Sequence, residues 1–279
     1  MLDLFHIPHQ FGNADVQIFT LPSTVTNTQL HTWLRPRGKT MLMIMGCSGG
    51  GGGGGGFTAA AASARGGGGG GGGSACTRVI YPIFCLPQRL YVQVGAGGVG
   101  VGSGGGTAPS GINSFVSAHA DVSAGQNLIW GACAVPPTGG GTGTGAAVGA
   151  GGTGGTAAVI TTINLAGLGQ FTSVAGQNGT AGGAVANGAG GTLTLPQTGA
   201  WITGGTGGGG VTNTDQTGGP ITKPALTMVG ELAPSVNAAG SNPGSDGSQW
   251  LPMLYCFGGI GGGASNASVG GQGGMGAWG

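Results

Sequence analysis

Gly46-Cys-Ser-Gly-Gly50 has the form of a nucleophile elbow with Ser48 at its apex. That motif works when the serine sits on a sharp strand-to-helix turn. Here glycine continues to residue 56, and each glycine opposes a helix by about 1 kcal/mol. His6, His9, His31 and His119 are remote in sequence, and no acid completes a Ser-His set. Arg37-Gly-Lys-Thr40 has the form of the end of a phosphate-binding loop, but the glycine required five residues before Gly38 is Trp33. Matches to G-x-G-x-x-G carry no information in a chain with 73 glycines. The six acidic residues are scattered, with no closely spaced pair. No catalytic residue is therefore expected, and the chain does not read as an enzyme.

Metal and cofactor chemistry fare no better. Cys47, Cys76, Cys85, Cys133 and Cys256 are widely spaced and form no Cys-x-x-Cys or Cys/His ligand pattern. No metal and no cofactor is expected. Cys85, Cys133 and Cys256 lie in apolar contexts, as small buried hydrophobes do. A disulfide is compatible with the count, but its pairing is not legible. Trp33 and Trp130 flank apolar segments and read as core. Trp201, Trp250 and Tyr255 sit between glycine runs, where an aromatic ring plugs a bundle end or stacks on a sugar or host protein. Asp215 and Asp246 lie in loop-like stretches and are candidate ion or sugar contacts. These five residues are the candidate receptor contacts.

The composition bounds the class. Only 5% of residues are charged, against about 25% in ordinary domains. Disordered chains combine low hydrophobicity with high net charge. This chain has a formal net charge of +1 and 39% hydrophobic residues, so an ordered structure is expected. Six of its seven basic residues fall in the first third, too sparse for a nucleic-acid stripe. No apolar run approaches the roughly 18 residues of a membrane span. The stretch MLDLFHIPHQ shows no basic region followed by an apolar one, so no secretory signal is expected. Synthesis in a cytoplasm, with assembly into a virion as a route outward, fits that reading.

The elements that position these residues are short. Segments 16–20, 30–34, 40–45, 78–83, 89–94, 113–117 and 127–133 read as strands, with a Pro-Arg-Gly turn at 36–38. Leu90, Val92 and Val94 alternate with Arg89, Tyr91 and Gln93, a half-buried pattern. TMLMIM at 40–45 is apolar on both faces, which predicts a strand covered on both sides. No segment has a 3.6-residue period, so little or no α-helix is expected.

Between these strands lie glycine runs at 49–56, 66–73, 95–106, 139–155, 176–191, 204–210 and 258–279. The last divides into triplets, GGI GGG ASN ASV GGQ GGM GAW, whose first two residues are small. A weaker version places Gly140, Gly143, Ala146, Gly149, Gly152 and Gly155 in one frame. A three-residue period matches a polyproline-II-type helix, which makes no internal hydrogen bonds. Buried backbone groups need partners, so such helices must exchange bonds with neighbours in a bundle. The fold expected is mostly β and irregular. It combines β-sandwich-like strands with a bundle of polyglycine-II helices. Three segments are expected: a strand-rich attachment segment at 1–45, a glycine-rich β/polyglycine domain at 46–137, and a polyglycine-II bundle with loops at 138–279.

The order of features in 31–133 carries a resemblance. His31-Thr-Trp-Leu-Arg-Pro-Arg-Gly38 leads to the strand TMLMIMG, then two long glycine runs, RLYVQVGAGGVG and GGGTAPSGINSFVSA. This resembles the glycine-rich domains of bacteriophage tail proteins and, in arrangement, the glycine-rich domain of anaplastic-lymphoma-kinase-type receptors. The second half more loosely resembles glycine-rich adhesins at tail-fibre tips. The resemblance implies a structural virion component, a tail fibre, spike or adhesin, in a surface or tail appendage. Its implied partners are other virion proteins, further copies of itself, and a host-surface glycan or outer-membrane protein. Neither nucleic-acid binding nor membrane insertion is implied. Loops at 107–126, 196–203, 211–224 and 241–252 would be the contact surface. Two other readings share the same architecture. One is a self-assembling extracellular filament or matrix protein. The other is an ice- or surface-binding protein using Thr142, Thr144, Thr153 and Thr156.

Overall fold

The computed structural model describes residues 15–21, 27–58, 65–120, 128–158, 169–183 and 190–194, with short strands at 221–222, 249–250 and 255–256. Among them there is no α-helix, only a 3-10 turn at Ile83–Cys85. The fold is β-rich, with long irregular stretches between strands.

Two antiparallel sheets hold the core. One runs in the order β1 (Gln29–Leu34), β4 (Arg89–Val94), β5 (Phe115–Ser117), β6 (Leu128–Gly131). The other runs β2 (Met41–Cys47), β3 (Cys76–Pro82), β7 (Gln170–Val174). A single cluster draws Trp33, Leu90, Val116, Ile129 and Trp130 from the first sheet and Val79 and Tyr81 from the second. The expected core tryptophans are thus buried together. Gly46 packs closely here: an added Cβ would lie 3.0 Å from the Trp130 ring, which would have to shift to admit it. The Tyr81 hydroxyl donates across the sheets to Ile129 O at 3.3 Å. The Thr77 hydroxyl donates to Ala132 O at 2.7 Å.

Two local expectations are corrected. Residues 16–20 form no strand. Phe19 and Leu21 pack onto the sheets, while Val16 and Ile18 stay exposed, so the alternation anchors an extended arm without a ladder. The strand at 40–45 is covered on one side only. Leu42 and Ile44 pack against the core, while Met41 and Met43 are 54% and 41% exposed. The second sheet also gains β7, which sequence patterning did not single out. The Pro-Arg-Gly turn is present, with Gly38 at φ 73°.

Each sheet strand that ends near the glycine runs feeds one of them. Chain 49–57 leaves β2, and 66–73 returns to β3. Chain 95–101 leaves β4, and 108–113 returns to β5. Chains 138–144 and 147–156 follow β6, and 175–183 follows β7. Their backbone bonds step by three residues. Gly51, Gly54 and Phe57 donate to Gly72, Gly69 and Gly66. Gly66, Gly69 and Gly72 donate to Thr144, Gly141 and Thr138. Gly67, Gly70 and Gly73 donate to Gly183, Thr180 and Gln177. Gly149, Gly152 and Gly155 donate to Gly67, Gly70 and Gly73. Chain 66–73 therefore bonds four neighbours, and these bonds join 46–137 to 138–183.

Glycine is needed because the backbones touch. A Cβ on Gly69 would sit 2.0 Å from Ala150 O, and one on Gly54 would sit 2.0 Å from Gly141 O. The two-residue strands pair β8 (Leu193–Thr194) with β9 (Ile221–Thr222), parallel, and β10 (Gln249–Trp250) with β11 (Tyr255–Cys256), antiparallel. The triplets of 258–279 lie outside the described residues.

Candidate functional site: the turns at the far end of the glycine runs

Chain direction gathers the reversals at one end. Gly98 and Val101 donate to Gly50 and Gly53, and Gly140 and Gly143 donate to Gly52 and Gly55. Chains 95–101 and 138–144 thus run parallel to 49–57, away from the sheets. All three turn back at the same level. The turn at 102–107 meets the start of the 58–65 connection, where Thr58 Oγ1 donates to Ser103 Oγ at 3.0 Å. It meets the neighbouring run where Thr142 N donates to Gly106 O at 3.2 Å. The turn at 144–147 joins them through Gly66 N, which donates to Thr144 O at 2.9 Å.

The two fully described turns are built differently. Gly105 N donates to Gly102 O at 3.1 Å, with Gly104 and Gly106 at φ 73° and 76°. Those left-handed residues strain any side-chain-bearing substitute. The other turn is fastened by a side chain. Thr144 Oγ1 accepts from Ala147 N at 2.9 Å and Ala146 N at 3.3 Å, and Thr144 N donates to Ala147 O at 2.8 Å. This is a hydroxyl-closed turn of the kind Ser and Thr favour.

The surface so formed is exposed at 104–107 and at Thr144, Ala146 and Ala147. It offers peptide groups and the hydroxyls of Thr107 and Thr142, while those of Thr58, Ser103 and Thr144 are engaged within the turns. Among its described residues the one ionisable side chain is Arg65, which is fully buried at the start of 66–73. Such a surface can exchange hydrogen bonds with a neutral polar partner. Among its described residues no exposed side chain titrates in the neutral range. Among the described residues, no three His, Cys, Asp or Glu side chains cluster as metal ligands.

The five candidate contact residues lie elsewhere in the chain. Trp250 and Tyr255 are cross-strand partners in the β10–β11 pair. Trp201, Asp215 and Asp246 fall outside the described residues. Of the contact loops expected, 107–126 is described to residue 120; its first residue belongs to the far turn, and 115–117 is β5. Sequence reasoning missed the turns at 102–107 and 144–147 because they lie inside stretches that read as unbroken glycine runs. The available signal was Ser103-Gly-Gly-Gly-Thr107 and Thr144-Gly-Ala-Ala147, where hydroxyls break the run. Ser48, apex of the elbow look-alike, is fully buried, and Gly49 N beside it donates to Ile112 O at 2.9 Å.

Burial affects two groups at the sheet end. It pushes the Cys133 thiol up to about 11 and raises the Tyr81 phenol above its ordinary value. Both side chains therefore keep their protons through the neutral range. Among the described residues, no helix is long and apolar enough to cross a membrane. A scan of protein-family models finds no match to this chain, and a search of curated proteins finds none either.

Proposed function

We propose that this chain is a structural virion component of tail-fibre, spike or adhesin type. Its glycine runs form a bundle of polyglycine-II helices that carries a contact surface away from a β-sandwich-like base. The observation that carries the reading is polarity. Sheets close one end of the runs, and reversals of three runs converge at the other. The three-residue step of the interchain bonds supports the helix type, since that is the period of such a helix. An eight-residue run, such as 49–56, would span about 25 Å at ~3.1 Å per residue. The ordered features of 31–133 add the likeness to phage tail domains.

In this reading the base contacts other virion proteins or further copies of the chain. The far turns face the host, with a glycan or outer-membrane protein as receptor. Trp250 and Tyr255 would contribute if β10–β11 reaches that surface. The experiment is competition for host attachment. Purified chain should block adsorption of the particle from which it comes. A variant with new side chains at Gly102 and Thr107, where an added Cβ at Gly102 meets nothing within 4 Å, should lose that block with Tm within about 2 °C of the parent. Equal blocking by the variant, or none by the parent, would sink the proposal.

The ice-binding reading draws less support. Its threonine row is engaged internally: Thr153 Oγ1 lies 3.0 Å from Thr138 Oγ1, Thr156 Oγ1 accepts from Val135 N, and Thr144 closes its turn. No specific contact favours the filament reading. Concentration-dependent polymers of purified chain would revive it.

A further inference from the structure

We infer that Cys47 and Cys76 form a redox latch on the glycine array. Cys47 is the last residue of β2 and Cys76 the first of β3, directly paired across the ladder. Their Cα atoms are 4.4 Å apart, and the two sulfurs are joined. The 29-residue separation encloses both central runs, 49–57 and 66–73, which bond to every other long run described. Closing that loop removes disorder from a glycine-rich unfolded chain, whose conformational freedom is otherwise the largest obstacle to ordering it.

Both cysteines are almost completely buried. A reductant reaches them only when the junction between sheet and array opens, so the bond persists once formed. The third nearby thiol is held out of exchange. Cys133 is buried and fixed through its backbone, Cys133 N donating to Asn113 Oδ1 at 3.1 Å. The thiolate is the attacking species in disulfide exchange, and burial keeps Cys133 protonated. Closure joins the two sulfurs with loss of one proton from each thiol. Two electrons pass to a low-molecular-weight disulfide, which becomes two thiols.

The latch depends on the array and not on its role in attachment, so its failure would leave the adhesin reading standing. The test uses the full chain folded in the presence of a low-molecular-weight disulfide. Peptide mapping without reductant should recover Cys47 and Cys76 in one linked pair. Finding both alkylated would overturn the latch. A phosphine reductant should open the bond at least about 100-fold more slowly in the folded protein than in denaturant. Equal rates would overturn it. The reduced, alkylated chain should melt roughly 6–12 °C lower. Cys47→Ser/Cys76→Ser should match that loss and ignore reductant, and Cys85→Ser should behave as parent. If the double variant fails to fold, reduction of the parent still gives the result. An unchanged Tm on reduction would overturn the proposal.

Discussion

At the scale of single residues, glycine here is a contact surface more than a source of flexibility. Gly69 and Gly102 separate the two roles. Gly69→Ala drives a methyl to 2.0 Å from Ala150 O, whereas a Cβ on Gly102 meets nothing within 4 Å. Backbone cannot give way as a side chain can, so Gly69→Ala should cost at least about 3 kcal/mol. Gly102→Ala should stay within about 0.5 kcal/mol of parent. Denaturant titration of the two variants reads the difference, and equal costs would remove the close-packing argument. Two protons also matter at this scale. The Cys133 thiol moves from 9.0 to about 11, and the Tyr81 phenol is raised from 10.0. Both folded values lie above the unfolded ones. The stability tied to the Cys133 proton is complete below pH 9 and is lost as pH rises through about 11, and that tied to the Tyr81 proton is lost at pH above 10. Cys133→Ala should flatten the stability profile across that window relative to parent, measured by denaturant midpoints.

At the scale of elements, side chains extend ladders where the backbone stops. Asn113 lies just before β5 and behaves as an extra rung toward the chain after β6. Its Nδ2 donates to Cys133 O at 2.6 Å, and its Oδ1 accepts from Cys133 N at 3.1 Å. Asn113→Ala would strand both buried groups of Cys133 and should cost about 2–4 kcal/mol. A loss below about 0.5 kcal/mol would show that solvent satisfies them. A similar substitution closes the outer side of the array. Thr153 N donates to Thr138 Oγ1 and Gly154 N to Asn178 Oδ1, both at 2.8 Å. No further run is needed beside these donors. Thr138→Val with Asn178→Leu exposes both N–H groups on an uncharged surface, and unpaired backbone donors recruit neighbouring chains. Light scattering should then report association where the parent remains dispersed.

How much of this was legible in the chain divides along the same line. Strands with side chains could be read: β1, β3, β4, β5 and β6 fall at or within about two residues of the segments whose patterning marked them. Of the frame through Gly140, Gly143, Ala146, Gly149, Gly152 and Gly155, the five glycines are donors to 49–73, while Ala146 falls in the turn that splits the run and donates to Thr144 Oγ1 instead. Which run bonds which neighbour was not legible. Glycine has no side chain to distinguish partners, so every pairing looks alike in sequence. β7 escaped because the first three residues of Gln170–Val174 are all exposed, leaving no alternation to read. The open face of β2 escaped because methionine is apolar whether or not anything covers it. The far turns escaped because two hydroxyls inside a glycine run are a faint mark. Of the five contact residues named from sequence, two are described, and they are paired with each other.

For the whole molecule, the three-residue bond step has a consequence for how such a protein can change length. Central runs share bonds with several neighbours at once, so a single added residue in 66–73 would shift every later peptide off its partner. In the polyglycine-II reading proposed above, three residues restore the register and advance the run by about 9 Å. Even then the new bonds close only if the runs alongside grow by the same step. Length in this architecture is therefore quantised and collective. Lineages of such chains should differ by matched triplets added across several runs, with the sheets and the reversing turns left intact, rather than by insertions scattered one at a time.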